Sequence, residues 1–172
     1  MSTITNIKIS LKVLPICLDT VCSIAKKCDL AFKRYNNFIV LRNEFTYIIF
    51  KNKKGCNTHI NITKLRCFSD IERCQDFLNR DILCMFKSCV IQQKIDNITA
   101  SYDLKKNVDI LKTIEKFINL CEVRYNNEKF PGVFLKHSLG TIIVFHSGKT
   151  ILIGSKNLNS LKCLTQFLTV NM

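Results

Sequence analysis

Apolar positions along the chain switch between a period of two and a period of three to four, and the switches outline two copies of one unit. Ile4 to Val13 alternates polar and apolar residues, the pattern of a half-buried strand. Leu18, Val21, Cys22, Ala25 and Cys28 then fall at helical spacing, followed by strand-like runs over 37–42, 45–51 and 56–63. Ser69 and Glu72 stand at capping-box spacing, with Asp70 between them, and open a long helix with Ile71, Cys74, Leu78, Ile82 and Met85 on one face. The same order returns in the second half. Val90–Ser101 reads as a strand, and a helix around Lys106–Cys121 turns Val108, Leu111, Ile114, Ile118 and Cys121 inward. Strands near 124–136, 140–145 and 150–155 precede a closing helix that carries Leu158, Leu161, Leu164 and Leu168. No Pro- or Gly-rich linker interrupts the chain, so residues 1–89 and 90–172 are expected to be two repeats within one domain, continuing one sheet.

Composition narrows the function classes. The chain has 172 residues and 47% hydrophobic content, enough for a folded core and too apolar for a disordered basic tail. No run approaches the length of a membrane span, and the N-terminus lacks a signal-peptide layout, so the expectation is an intracellular protein without a membrane partner. The ten cysteines lie mostly in periodic apolar stretches and are expected to be buried free thiols. Cys56 and His59 lack a second ligand pair, so neither a metal nor another cofactor is expected. Acidic residues are scattered, without a paired-carboxylate or nucleophile–base signature, which argues against an enzyme.

Charge is sorted along the chain. The net charge is +13, of which the segments 33–66 and 129–156 hold +7 and +4, whereas 69–89 and 101–122 are nearly neutral. Lys outnumbers Arg 20 to 6, as codon bias in an AT-rich genome would produce, but uniform bias would not separate basic strands from neutral helices. Phe45–Phe50 and Thr141–Phe145 are apolar on both sides of the strand. A strand buried between two protein layers has that pattern. Two helices per unit, however, suffice for one sheet face, and the other face needs a partner that tolerates apolar side chains and lysines together. The minor groove of DNA meets both demands.

Specific motifs then connect the chain to a family. Phe130-Pro131-Gly132-Val133-Phe134-Leu135-Lys136, Ile142-Ile143-Val144-Phe145-His146-Ser147-Gly148-Lys149 and Ile153-Gly154-Ser155-Lys156 resemble the second repeat of the TATA-box-binding protein family. Ile95–Leu104 is similar to the strand that opens that repeat, and Asn6-Ile7, Lys33-Arg34-Tyr35 and Ile48-Ile49-Phe50 are fainter counterparts in the first. Tyr35 to Phe50 spans 15 positions, as does Phe130 to Phe145, and Asn6 to Asn97 is an offset of 91.

The resemblance implies an α+β fold. It would be a saddle in which two pseudo-symmetric repeats form one curved antiparallel sheet with helices on the convex face. It implies a transcription initiation factor that binds AT-rich promoter DNA in the minor groove and bends it, with a transcription factor IIB-like protein and RNA polymerase machinery as partners. Tyr35, Phe50, Phe130 and Phe145 would be the rings that wedge into base steps. Asn6 and Asn97 would contact base edges near the pseudo-two-fold axis, and Arg42, Lys51, Lys53, Lys136, Lys149 and Lys156 would meet phosphates. Together with the AT-rich composition it points to a large DNA virus or a divergent eukaryote, acting in a nucleus or a cytoplasmic replication site. Some features depart from the family. Tyr35 brings a hydroxyl, Ile153 replaces a Thr, Arg42 is one residue out of register, and the first unit lacks the Ser-Gly-Lys and Thr-Gly-Ala motifs, with Lys53-Lys54-Gly55 as a substitute for the former. The segments between wedge positions are about two residues short of the family pattern, predicting a reduced reach. An alternative reading is a protein-interaction module of a transcription complex that kept the fold and lost autonomous DNA binding.

Overall fold

The computed structural model describes residues 2–53 and 55–172. Its elements run β1 (Thr3–Val13), α1 (Leu18–Lys27), β2 (Ala31–Arg34), β3 (Phe38–Arg42), β4 (Thr46–Phe50), β5 (Thr58–Leu65), α2 (Ser69–Phe77), β6 (Val90–Asp103), α3 (Ile110–Phe117), β7 (Glu122–Asn126), β8 (Phe130–His137), β9 (Gly140–Val144), β10 (Lys149–Ser155) and α4 (Leu158–Asn171). The chain packs as two compact units: Asn6–Asp96, and Asn97–Met172 together with the first residues through Thr5. Hydrogen-bonded neighbours follow the order β2-β3-β4-β5-β1-β6 in the first unit and β6-β10-β9-β8-β7 in the second. The registered pairs are antiparallel. No described helix is long and apolar enough to cross a membrane.

Alternation decides which face each unit buries. In the first, Ile7, Ile9, Leu11, Ile39, Leu41, Tyr47, Ile49, Ile60 and Ile62 point to one side and are fully buried or nearly so. That side is roofed by α1, through Leu18, Val21, Ile24 and Ala25, and by α2, where the Tyr47 hydroxyl donates to the Cys74 carbonyl at 3.3 Å. In the second, Val133, Leu135, Ile142, Val144 and Leu152 lie under α4 residues Leu161, Leu164 and Leu168. Phe117 of α3 meets Phe167 of α4 edge to face. The intervening residues of every strand face away from the helices.

Several expected details change. β2 is an additional edge strand, and the run 124–136 is a hairpin, β7–β8, turned at Asn126–Lys129. The long helix from Ser69 ends at Phe77 and continues as a π-helical turn (Leu78–Ile82) and a 3-10 turn (Leu83–Phe86). The change of pitch rotates Met85 out to solvent, where it is 65% exposed. α3 starts only at Ile110 and buries Thr113 and Phe117, so Leu111 and Ile118 face outward. Val108 of the expected face is buried ahead of the helix, but within α3 that face is one residue out of phase. Of the ten cysteines only Cys74 is buried, and burial pushes its thiol up to about 12; all ten are free.

The expected capping box is replaced by one carboxylate. Asp70, itself inside α2, accepts from the backbone N–H groups of Arg66 at 2.7 Å and Cys67 at 3.1 Å, and pairs with Arg73. The Arg66 bond foremost holds its carboxyl below the usual range. A depressed carboxyl contributes stability above its unfolded value of about 3.9, lost as pH falls through the folded value. Asp70→Ala is therefore expected to cost about 1–3 kcal/mol at neutral pH. Thermal melts should show the gap from wild type narrowing only below about pH 4.

Candidate nucleic-acid interface

On the face turned away from the helices, each unit gathers rings at one end of a hairpin. In the second unit Phe130 opens β8 and Phe145 follows β9, with centroids 5.6 Å apart, and Phe134 lies 5.1 Å from Phe130. Register places Gly132 opposite Phe145, since Val133 pairs with Val144. A Cβ on Gly132 would lie 2.8 Å from the Phe130 ring, 2.9 Å from Ile143 and 3.1 Å from the Phe145 ring, so the absent side chain is the space into which both rings fold. In the first unit the residue opposite Phe50 is Phe38. Tyr35 stacks on Phe38 at 4.4 Å and 20°, and Phe38 meets Phe50 at 6.0 Å. All four expected wedge residues thus lie in ring clusters outside the core, with Tyr35 38% and Phe130 37% exposed. Phe38 and Phe134 join them. Phe38 was legible as the residue opposite Phe50 once the hairpin register is set.

The segment between each wedge pair forms the strands and turn of a hairpin, and that turn (Ser138–Leu139 in the second unit) lies at the end away from the rings. The shortening seen in sequence therefore falls on the hairpin beyond the rings, and it bears on the register of Arg42. Arg42 faces Thr46 as Lys136 faces Thr141, so the two cations occupy the same register position. The missing residue lies in the tighter β3–β4 turn.

Asn6 and Asn97 face matching bulges in the neighbouring strands β5 and β10. Asn6 Oδ1 accepts from the Lys64 N–H at 2.9 Å and Asn97 Oδ1 from the Gly154 N–H at 2.6 Å. Both donors have left-handed backbone, with φ of 72° and 96°, beside a register shift in the strand pair. A backbone N–H can only donate, so the atom facing it must be the amide oxygen, and the orientation of each amide is fixed. The NH2 of Asn6 is left to point outward, and that of Asn97 spends one hydrogen on Thr99 Oγ1 at 3.1 Å. The correspondence of Lys64 with Gly154 also shows where the first unit keeps its Thr-Gly-Ala-Lys equivalent. It is Thr63-Lys64-Leu65-Arg66, with exposed Arg66 in the place of Lys156.

The cations differ between units. Arg42, Lys51 and Lys53 are exposed in the first, and Lys33 sits over the Tyr35 ring at 5.2 Å. Lys54 lies outside the described residues, but Gly55 takes a φ of 78°, as Gly148 does in the Ser-Gly-Lys turn. In the second unit Lys149 and Lys156 are exposed, with Lys149 opposite Asp103. Lys136 is tied to Glu122 at 3.2 Å, and Arg124 bonds the same carboxylate. The Arg124 hydrogen bond, with Lys136 after it, holds the Glu122 carboxyl below its ordinary range, so the group is charged at neutral pH.

These features define a two-repeat α+β protein that carries helices on one sheet face of each repeat and rings, amides and cations on the other. Residues 92–169 match the family model of transcription factor TFIID, or TATA-binding protein. The TATA-box-binding protein of Thermococcus sibiricus is 33% identical over 75 residues, covering 42% of this chain and 38% of the relative. That of Methanothermobacter thermautotrophicus is 37% identical over 81 residues, covering 46% and 42%. In structure, Methanococcus jannaschii TBP superposes with a TM-score of 0.78 at 22% identity, over 99% of this chain and 97% of that one. The sequence match spans about two fifths of the curated relatives, the family model falls within the second repeat, and the fold match takes in both repeats. By sequence the chain is similar to TATA-binding proteins over residues 92–169, and by fold it is similar to a TBP over both repeats.

Proposed function

We propose that this protein is a DNA-binding transcription initiation factor that engages AT-rich duplex through the minor groove and bends it. The observation that carries the reading is the fixed orientation of Asn6 and Asn97. Asn6 keeps both amide hydrogens and Asn97 keeps one for a partner, and the floor of an A·T minor groove offers only acceptors. The ring clusters supply apolar wedges, and Arg42, Lys51, Lys53, Lys149 and Lys156 supply phosphate contacts. The test is fluorescence anisotropy with AT-rich and GC-rich duplexes across a salt series. Preference for AT-rich duplex, with affinity falling steeply with salt, is the expected result. Equal affinity for both at matched salt would reject minor-groove readout. The proposed partners are a transcription factor IIB-like protein and, through it, RNA polymerase, reached from the outer faces of α2 and α4.

One observation favours a second reading, that of a protein-interaction module. Glu122 neutralises part of the positive charge on the second unit, through Lys136 and Arg124. Under the DNA-binding reading, Glu122→Gln frees both cations. Affinity should then rise by about three- to tenfold at low salt, and the salt slope should steepen by about one to two phosphate contacts. An unchanged slope would place Lys136 and Arg124 outside the DNA contact and favour the module.

A further inference from the structure

The first unit carries a carboxylate on its DNA-facing side that neither the wedges nor the amides account for. Gln93 of β6 reaches Gln75 of α2, which assigns Gln93 to the helix side and its neighbours Gln92 and Lys94 to the other. Those two share a small depression of about 140 Å³ with Ser10, Leu11, Lys12 and His59. Asp96 belongs to the same face. The Ser10 hydroxyl donates to Asp96 Oδ1 at 3.0 Å, and Lys8 Nζ stands 3.6 Å from Oδ2, while the Asp96 side chain keeps 25% of its surface exposed. Ser10 and Lys8 alternate along β1 with Ile7, Ile9 and Leu11, which are buried under the helices, so both project from the open face. A carboxylate is an acceptor with about four lone-pair sites, and these two partners leave some unfilled.

An acceptor is the wrong group for an A·T minor groove, where adenine N3 and thymine O2 are acceptors as well. A G·C pair adds one donor there, the guanine 2-amino group. Lys8 pairs with the carboxylate, and Lys12 and Lys94 lie on the same face, so cations offset its repulsion of the phosphates. We infer that Asp96, held by Ser10 and Lys8, is a specificity-determining residue that accepts a hydrogen bond from a guanine 2-amino group at one position of an otherwise AT-rich site. The inference rests on the DNA-binding reading above and adds a position at which that reading alone would place A·T.

Inosine and guanine differ in the minor groove only by the 2-amino group, so the test can use the unmodified protein. A set of AT-rich duplexes, each with a single I·C or G·C pair stepped along the site, is titrated at one salt concentration. At one position G·C should bind about tenfold tighter than I·C, the discrimination usual for one base pair in a specific site. At the remaining positions G·C should bind equally or more weakly. Asp96→Ala should erase the guanine gain while leaving the I·C duplexes bound as well as before or better, because a carboxylate that repels acceptors and phosphates is removed. Guanine equal to or worse than inosine at every position, on duplexes that do bind, would overturn the assignment, as would a guanine gain that survives Asp96→Ala. If no duplex binds, the DNA-binding reading itself fails and this assignment falls with it.

Discussion

Phe130→Ala and Phe145→Ala should each leave encounter with DNA nearly intact and raise the dissociation rate by about tenfold to a hundredfold, with a parallel loss of bending. A ring that unstacks a base step acts after electrostatic docking, and a base–aromatic contact is worth about 1–3 kcal/mol. The free protein should melt close to wild type, because Phe130 is 37% exposed and neither ring belongs to the buried core. A core phenylalanine would instead cost about 3–5 kcal/mol on truncation. Stopped-flow dissociation, an energy-transfer measure of bend angle and a melt without DNA separate the outcomes. Large melting losses with unchanged bending would return the rings to the core. Tyr35→Ala should cost less, since its hydroxyl opposes deep insertion and its ring is already stacked on Phe38.

The second large effect is expected from Asn6→Asp combined with Asn97→Asp. The substitution is nearly isosteric, and the retained oxygen still accepts from Lys64 or Gly154. What changes is the outward group, from a donor to a charged acceptor facing adenine N3 and thymine O2. Loss of at least about tenfold per site is expected, at about 1–3 kcal/mol per misread base pair, and the two should combine to roughly a hundredfold. Melting temperatures should stay near wild type, because the backbone bonds at the bulges persist. Binding that survives the double substitution would remove the amides from base readout and leave phosphate contacts to explain affinity.

The repeat, the element order and the identity of the helix-covered face were legible because they depend on alternation and on charge sorting, which are properties of many residues at once. The family motifs of the second repeat were legible because Gly132, Gly148 and Gly154 sit where a side chain is poorly tolerated. Gly148 and Gly154 have φ of 78° and 96°, and Gly132 makes room for two rings. The first repeat was harder to read because it solves the same problems with other residues. Lys64 adopts the left-handed bulge without a glycine, at a conformational cost of about 1–2 kcal/mol. Phe38 fills the position that Gly132 leaves open. Neither substitution resembles its counterpart until strand pairing fixes the register. The phase of α3 escaped because Leu111, Ile114 and Ile118 form a regular helical stripe as well, and only packing against α4 through Phe117 selects between the two faces. Asp96 escaped because its meaning depends on Ser10 and Lys8, which are 86 and 88 positions away in sequence.

β1 and β6 each serve both compact units, since the boundaries fall at Thr5/Asn6 and Asp96/Asn97, inside those strands. The segment duplicated in the sequence is therefore not the segment that would survive on its own. A fragment ending at Cys89 strips β1 of β6, its hydrogen-bonded neighbour, and turns a central strand into an open edge that invites pairing between chains. A fragment of residues 6–96 keeps that neighbour through Asp96. For a ribosome emitting the chain from its N-terminus, β1 cannot complete its pairing until roughly ninety residues have followed it, a loop closure whose entropy grows only logarithmically with that length. Soluble expression of single halves should accordingly depend on whether the cut falls before or after the first seven residues of β6.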